Sequence, residues 1–448
     1  MRTNCRRARA AAWLTSALFL AGAPAARAQG IAGSAPADTR SSTAPQAAFA
    51  GNALELGWVE RTALERNPSL AAMREAWREA GARAEQAGAL EDPMLDGMLA
   101  PQSLGSRTVD PAYRVGITQQ FPLFGQRGLR RRAGRAEGEV AAHDFETARL
   151  DLLREVRGVY FDYYRVCRSQ ETNRELVELM NQSRRVALAK YSSGTVGQTD
   201  PLQAETELAM LEHESVVLGQ QRRMILARLR ALLHLSQNTL MPEPPRDLPL
   251  PEAPETGEWL SARMQPKWPE LAAADASVKA RQASLTLAHR ERLPGLGFGV
   301  AYDRFWSESE LRASVDVSLN LPLNLGRLAA REREARAALS KAEAERLAVR
   351  DRIEQRIEEA SASLGEHLHD VEIMREAVVP ASERSLKAIR AAYEANRSDF
   401  ITLLNATRDL ARARLELYEA QVMAHQAQAQ LQRALAADAT SPVQEDQR

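Results

Sequence analysis

The sequence predicts a mainly α-helical protein with a small β part. It is built twice over from one unit: helix, strand, strand, very long helix, tight turn, return helix. Three observations carry this. The first is a duplication: Asn67-Pro68 is answered by Trp268-Pro269, Asp92-Pro93 by Leu293-Pro294, Phe121-Pro122-Leu123 by Leu321-Pro322-Leu323, Tyr191 by Tyr393, and Leu202-Gln203-Ala204 by Leu404-Asn405-Ala406, all at offsets of 200 to 202 residues. A period that long marks a duplicated half-protein, since solenoid repeats run to roughly 20–50 residues. The second is the absence of proline between Pro122 and Pro201. The third is strict alternation of apolar and polar residues just before each long helical stretch.

Taken in order, residues 1–28 read as an export signal. Arg2, Arg6, Arg7 and Arg9 form a basic start, Ala10 to Ala21 an apolar core, and Ala26-Arg27-Ala28 a small-x-small cleavage site. The apolar core is shorter than the ~20 residues a spanning helix takes. Residues 29–53, rich in Ala, Ser, Pro and Gly, read as a disordered or extended arm. The first unit then occupies residues 54–240, a proline-rich linker 241–257, the second unit 258–437, and a polar, loose tail 438–448.

Within the first unit a helix runs from about Leu54 to Glu91, interrupted near Asn67-Pro68 and stopped by Pro93, which lacks the backbone donor that a helix interior needs. Tyr113, Val115, Ile117 and Phe121 then alternate with Arg114, Thr118 and Gln120. In the second unit Leu311, Ala313, Val315, Val317, Leu319 and Leu321 alternate with Arg312, Ser314, Asp316, Ser318 and Asn320. Period two is the mark of a strand with one apolar and one polar face. The length suits a tilted membrane strand of ~9–11 residues. Met94–Ala100 and Leu296–Trp306 are the expected partner strands, the latter ending in Phe305 and Trp306, as at an aromatic girdle. A soluble sheet with one solvated face is the competing reading of the strands alone.

The long helices extend from Gly128 to about Tyr191 and from Gly326 to about Tyr393, the second with a kink expected at Pro380. The ~64 residues of the first give roughly 95 Å at 1.5 Å per residue. Series such as Leu152, Val156, Val159, Tyr163 and Val166 keep a spacing near 3.5, which means helices coiling on neighbours. The turns are expected at Ser192–Gly197 and Asn396–Asp399, where Gly194 and Asn396 tolerate a left-handed helix end.

Four strands are too few to close a membrane barrel, which needs ~8, and open edges are not tolerated in lipid. The chain must therefore share its barrel. Three copies give twelve strands and are the simplest closure, although two copies also reach eight.

Composition narrows the classes further. The whole chain balances 59 basic against 59 acidic residues, and removing the signal leaves a net charge of −5, with no basic patch of the nucleic-acid kind. Cys5 falls in the signal, so Cys167 stands alone and no internal disulfide forms. His367 and His369 are two apart on a helix and point apart. His143, His213, His234, His289 and His425 are scattered. No nucleophile, phosphate-loop or zinc signature occurs, so no catalytic residue, metal ligand or cofactor is expected. The arginines at 127, 130, 131, 132 and 135, and at 327, 331, 333 and 336, sit just below the strands. Inner-leaflet headgroups, neighbouring acids and plain solvent are the alternatives for them.

From Leu54 to Leu435 the chain resembles the TolC-type outer-membrane efflux proteins. The resemblance rests on the duplicate order of the motifs: the strand exits Phe121-Pro122-Leu123-Phe124-Gly125 and Leu321-Pro322-Leu323-Asn324-Leu325-Gly326, then Tyr191-Ser192-Ser193-Gly194 and Tyr393-Glu394-Ala395-Asn396, each followed by a Leu-x-Ala segment. It implies four strands per chain in a shared trimeric β-barrel in the outer membrane, continued by a long α-helical barrel in the periplasm. It also implies a periplasmic adaptor and an inner-membrane pump as partners, with the adaptor docking at tips built on Gly194, Gly197, Asn396 and Ser398. The function implied is a passive duct for drugs, metal ions or other small molecules, and the Gly125–Gly128 exit resembles the heavy-metal-efflux branch. Family members line the tunnel mouth with acids just past the second tip, where this chain has neutral Thr402 and Asn405. The matching first-tip positions are Asp200 and Gln203, so a ring of Asp200 is the gate expected here, with Arg397 as its partner. Capping of the return helix, ahead of Pro201, is the structural alternative for Asp200. Two other functions compete: a soluble periplasmic coiled-coil scaffold or adaptor, and an enzyme using Asp200 or the histidines.

Overall fold

A computed structural model describes residues 53–104, 110–253, 268–306 and 308–437. The first unit contains α1 (Leu56–Arg66), α2 (Pro68–Ala87), β1 (Met94–Leu99), β2 (Tyr113–Phe121), α3 (Gln126–Ser192) and α4 (Thr199–Leu232). The second contains α5 (Pro269–Arg290), β3 (Gly295–Asp303), β4 (Ala313–Asn320), α6 (Leu325–Ile373), α7 (Val379–Glu394) and α8 (Phe400–Ala434). The expected export signal and tail, and the 254–257 end of the linker, lie outside the described residues.

Helix breaks fall where backbone chemistry puts them. Asn67 separates α1 from α2, its side chain accepting from the amides of Ser69 and Leu70 while Pro68 opens α2. The same side chain donates to the Leu232 carbonyl at 3.0 Å, tying α2 to the end of α4. The kink expected at Pro380 is a π-helical segment, Met374–Val378, immediately upstream. Such a segment absorbs the register lost where proline cannot donate. The 67 residues of α3 reach about 100 Å, and α3 packs on α1, α2, α4, α5 and α8.

Three apolar clusters hold this rod to its neighbours, two of them side by side on the same stretch of α3 and the third further along. Tyr160, Tyr163 and Tyr164 centre the first, Trp268, Ile353 and Leu364 the second, and Met180, Tyr393 and Phe400 the third, near the turns. Residues 241–253 of the proline-rich segment form a strap over the first cluster. Glu243 accepts the Leu54 amide at 2.8 Å, and the Arg246 carbonyl accepts the Tyr164 hydroxyl at 3.0 Å. Next to it His425 stacks on Phe161, with ring centroids 4.4 Å apart. Burial lowers the His425 pKa to about 4, so this histidine is a neutral core ring.

A charge knot joins four helices beside the second cluster. Glu270 of α5 accepts from Arg356 of α6 and from Arg433 of α8, and Arg433 also donates to Asp151 of α3 at 2.7 Å. Burial pushes the Glu270 carboxyl up, but the two arginines outweigh it and hold its pKa below the ordinary value.

Candidate functional site: a lipid-facing sheet and two helical tips

The strands form one antiparallel sheet in the order β1-β2-β3-β4. The β2–β3 pairing joins the two halves, and among the described residues the outer edges of β1 and β4 are left open. The register sorts the side chains as the alternation predicts. Leu95, Ile117, Val300 and Val315 stand abreast on one face, as do Gln119, Phe298 and Val317. This face is apolar and exposed: Val300, Val315 and Val317 are all more than 60% accessible. Two aromatic pairs bracket it, Tyr113 with Tyr302 at one end and Phe121 with Phe298 towards the other. An exposed apolar band between aromatic belts is what a barrel presents to lipid.

The opposite face carries Asp96, Arg114, Thr118, Gln120, Ser314, Asp316 and Ser318. Arg114 reaches across β3 to pair with Asp316. It can do so because β3 offers Gly299 and Ala301 beneath it. At Gly297 a β-carbon would meet the Ser318 hydroxyl at 2.3 Å and Gln120 at 2.8 Å. This is a polar, lumen-type surface.

At the far end of the helices the duplication is visible in the turns themselves. Gly194 and Asn396 both adopt positive φ, 72° and 59°. Thr195 donates its amide to the Lys190 carbonyl at 2.9 Å, and Arg397 does the same to Ala392 at 2.8 Å, so each long helix ends in the same six-residue closure. Lys190 links the two tips. Its ammonium donates to the Asn396 side chain at 2.7 Å and to the Tyr393 carbonyl, and it lies 4.2 Å from the Tyr393 ring centroid.

The structure brings some of the expected mouth residues together and corrects the role of others. The Tyr393 hydroxyl donates to the Asp200 carboxylate at 3.1 Å. Burial and this carboxylate push the Tyr393 phenol well above its ordinary pKa. Asp200 is not a cap: α4 starts one residue earlier, at Thr199, with Gln198 at the cap position. Proline is tolerated at the third helical position because the first amides have no intrahelical acceptor anyway. Nor is Arg397 the partner of Asp200 among the described residues of one chain. It lies beyond the left-handed turn and is exposed, whereas Tyr393, a turn earlier, faces the core against Phe400.

The true cap at the second tip is Asp399, which accepts from the Thr402 amide at 3.0 Å. Thr402 and Asn405 are exposed on α8, and Gln203 is half-buried on α4. Gly194, Gly197 and Asn396 are exposed at the turns, and Ser398 is half-buried. One turn further in, the buried Glu207 accepts both ends of the Arg408 guanidinium, locking α4 to α8. Sequence alone does not single out Lys190, Tyr393 and Glu207 at the tips, because what marks them is contact across separations of 206, 193 and 201 residues. The equivalence of Tyr191 and Tyr393 was the available hint.

Among the described residues no cluster of metal-ligating side chains occurs, and no helix is long and apolar enough to cross a membrane. A sheet with one exposed apolar face and one polar face, carried on helices of this length, is the architecture of a membrane channel. The chain belongs to the outer membrane efflux protein family, whose model matches residues 59–234 and 263–437. The cobalt-zinc-cadmium resistance protein CzcC of Cupriavidus metallidurans is 23% identical over 336 residues, covering 74% of this chain and 77% of that protein. The fold is that of the outer-membrane channel OprN, with a TM-score of 0.73 and 20% identity over 85% of this chain and 89% of that one. It is equally that of VceC from Vibrio cholerae, at 0.72 and 18% over 85% and 95%. The protein is thus a TolC-type outer-membrane efflux duct with a long periplasmic helical extension. It is no enzyme, and the soluble-scaffold alternative is set aside. Channels of this family work within tripartite efflux systems.

Proposed function

We propose that three copies of the chain close one twelve-stranded barrel and one helical tunnel, docked by a periplasmic adaptor at Gly194, Gly197, Asn396 and Ser398 and fed by an inner-membrane pump. The observation that carries this is the open-edged sheet with an apolar outer face: lipid demands that every backbone group be paired, and among the described residues the outer edges of β1 and β4 are unused for pairing. The organisation is an export signal over residues 1–28, an arm over 29–53, two halves at 54–240 and 258–437, the proline-rich linker 241–257 between them and a tail over 438–448.

Asp200 and Tyr393 act as the latch of the periplasmic mouth, with Gln203, Thr402, Asn405 and Arg397 around them and Lys190 holding the two tips together. The hydrogen bond from Tyr393 to Asp200 holds the first turn of α4 against the end of α7. A bond to a charged acceptor is worth ~1.5–3 kcal/mol, so three per assembly bias the mouth towards closure without sealing it. Tyr393→Phe and Asp200→Ala are expected to raise the open fraction in planar bilayers by about tenfold or more. Asp200→Asn keeps an acceptor oxygen and is expected to stay closed while losing cation preference. If all three variants conduct like the wild type, the latch is not there.

The cargo class that the similarity to CzcC supports is the divalent transition-metal cation. Cells lacking this chain are expected to become sensitive to cobalt, zinc or cadmium. Sensitisation to organic drugs alone would assign the duct to another pump.

A further inference from the structure

Where the sheet meets the helices, all four junctions of the chain lie at one level. The stretches 85–92, 126–136, 289–292 and 325–336 carry eleven arginines against six carboxylates, an excess far outside the balance of the whole chain. Some of that charge is matched locally. Arg130 pairs with Glu91 at 3.5 Å, Arg331 with Glu291 at 2.9 Å, and Arg292 and Arg336 share Glu332. Arg127 spends its guanidinium on the Gly88 carbonyl. Arg131, Arg132, Arg135, Arg290, Arg327 and Arg333 are exposed and, among the described residues, in no ion pair. Both copies of the duplicated unit thus contribute three free cations to the same collar, Arg132, Arg135, Arg327 and Arg333 among them.

Immediately towards the sheet lies an apolar rim. Leu321 and Leu323 continue the parity of Val315, Val317 and Leu319, and with Leu325 and Phe124 they are among the exposed large apolar side chains, Leu323 at 81%. Side chains that apolar are not displayed to water over a continuous rim without a partner. Here the rim extends the lipid-facing band of the strands. It therefore ends at the acyl boundary, and Arg327 follows Leu325 by half a helical turn. The interfacial layer beyond the hydrocarbon core is roughly 5–8 Å deep on each side. Arginine stems lie along apolar surface and lift their guanidinium groups into that layer, where the planar fork suits phosphate oxygens.

We propose that this collar is a binding surface for anionic phospholipid headgroups of the periplasmic leaflet, the phosphodiester of phosphatidylglycerol being held by Arg132, Arg135, Arg327 and Arg333. The inference rests on the lipid-facing assignment of the odd-numbered strand residues. A protein that failed to enter bilayers at all would contradict that assignment, whereas one that enters without lipid preference contradicts the collar alone.

The test is native mass spectrometry of the whole purified protein after reconstitution in vesicles of equal parts phosphatidylglycerol and phosphatidylcholine. Phosphatidylglycerol should be retained over phosphatidylcholine by at least about tenfold, since a basic residue at an anionic surface contributes roughly fivefold. The combined variant R132Q, R135Q, R327Q and R333Q should bring the ratio close to one while keeping the oligomer. The milder pair R327Q and R333Q should give an intermediate ratio. Inorganic phosphate at the concentration of the lipid should not displace it. Equal retention of the two lipids by the wild type overturns the proposal. So does an undiminished ratio in the four-site variant, or displacement by free phosphate, which would mark a simple anion site.

Discussion

Val317→Arg is expected to abolish assembly in membranes, whereas Ser318→Arg, one residue on, is expected to leave it intact. Val317 stands beside Phe298 on the apolar face, and Ser318 beside Gly297 on the polar one. A charge against lipid costs ~2–4 kcal/mol near the midplane of a barrel. In a three-fold assembly that cost is met three times over, comparable with the whole stability of an ordinary domain, ~5–15 kcal/mol. An arginine at 318 enters the lumen, where Arg114 and Asp316 already show that long charged side chains fit. The readout is heat-resistant oligomer in outer-membrane fractions. Equal loss in both variants would mean that the two faces have been assigned wrongly.

The second large effect is expected at Glu270. Its side chain is about one-fifth exposed and Arg433 about one-eighth (21% and 13%), so the knot is largely withdrawn from water. Removing the carboxylate in Glu270→Ala leaves Arg356 without this partner and Arg433 with Asp151 alone. Breaking a fully buried pair costs 3–5 kcal/mol, and partial exposure brings the expectation here to roughly 2–3 kcal/mol.

The knot also gives a pH signature. The folded-state pKa of Glu270 is lowered, so its contribution is complete above the ordinary carboxylate range and is lost as pH falls through that range towards the lowered value. Thermal midpoints of the wild type should therefore fall more steeply with acid than those of Glu270→Gln. Parallel curves would show that Glu270 titrates alike in both states. Because α3, α5, α6 and α8 all meet at this point, loss of the knot should loosen the helical rod without touching the sheet.

Much of this architecture was legible because it is written in local chemistry. Pro68 and Pro269 open helices, and Pro93 and Pro294 follow the ends of them, as the proline backbone dictates anywhere. Alternation over Tyr113–Phe121 and Ala313–Asn320 sorts a sheet into two faces without reference to anything distant. Gly194 and Asn396 mark the turns because few residues accept positive φ. What escaped was whatever depends on two segments meeting. Nothing near Glu270 announces Arg433, 163 residues away, and nothing near Lys190 announces Asn396, 206 residues away.

Asp200 shows the limit from the other side. Its neighbour Pro201 suggests a cap by a local rule, but α4 starts at Thr199 and the Asp200 carboxylate accepts from Tyr393. In the sequence His425 is one of several scattered histidines, and only burial against Phe161 distinguishes it.

The measurement that tests the central claim most directly is the mass of the purified, folded protein in detergent, with the micelle contribution subtracted. A shared barrel predicts three chains per particle, about 140 kDa of protein for a mature chain of about 47 kDa, since four strands cannot satisfy their edges and three sets of four can. A stable, folded single chain in the micelle, with β1 and β4 unpaired, would contradict it.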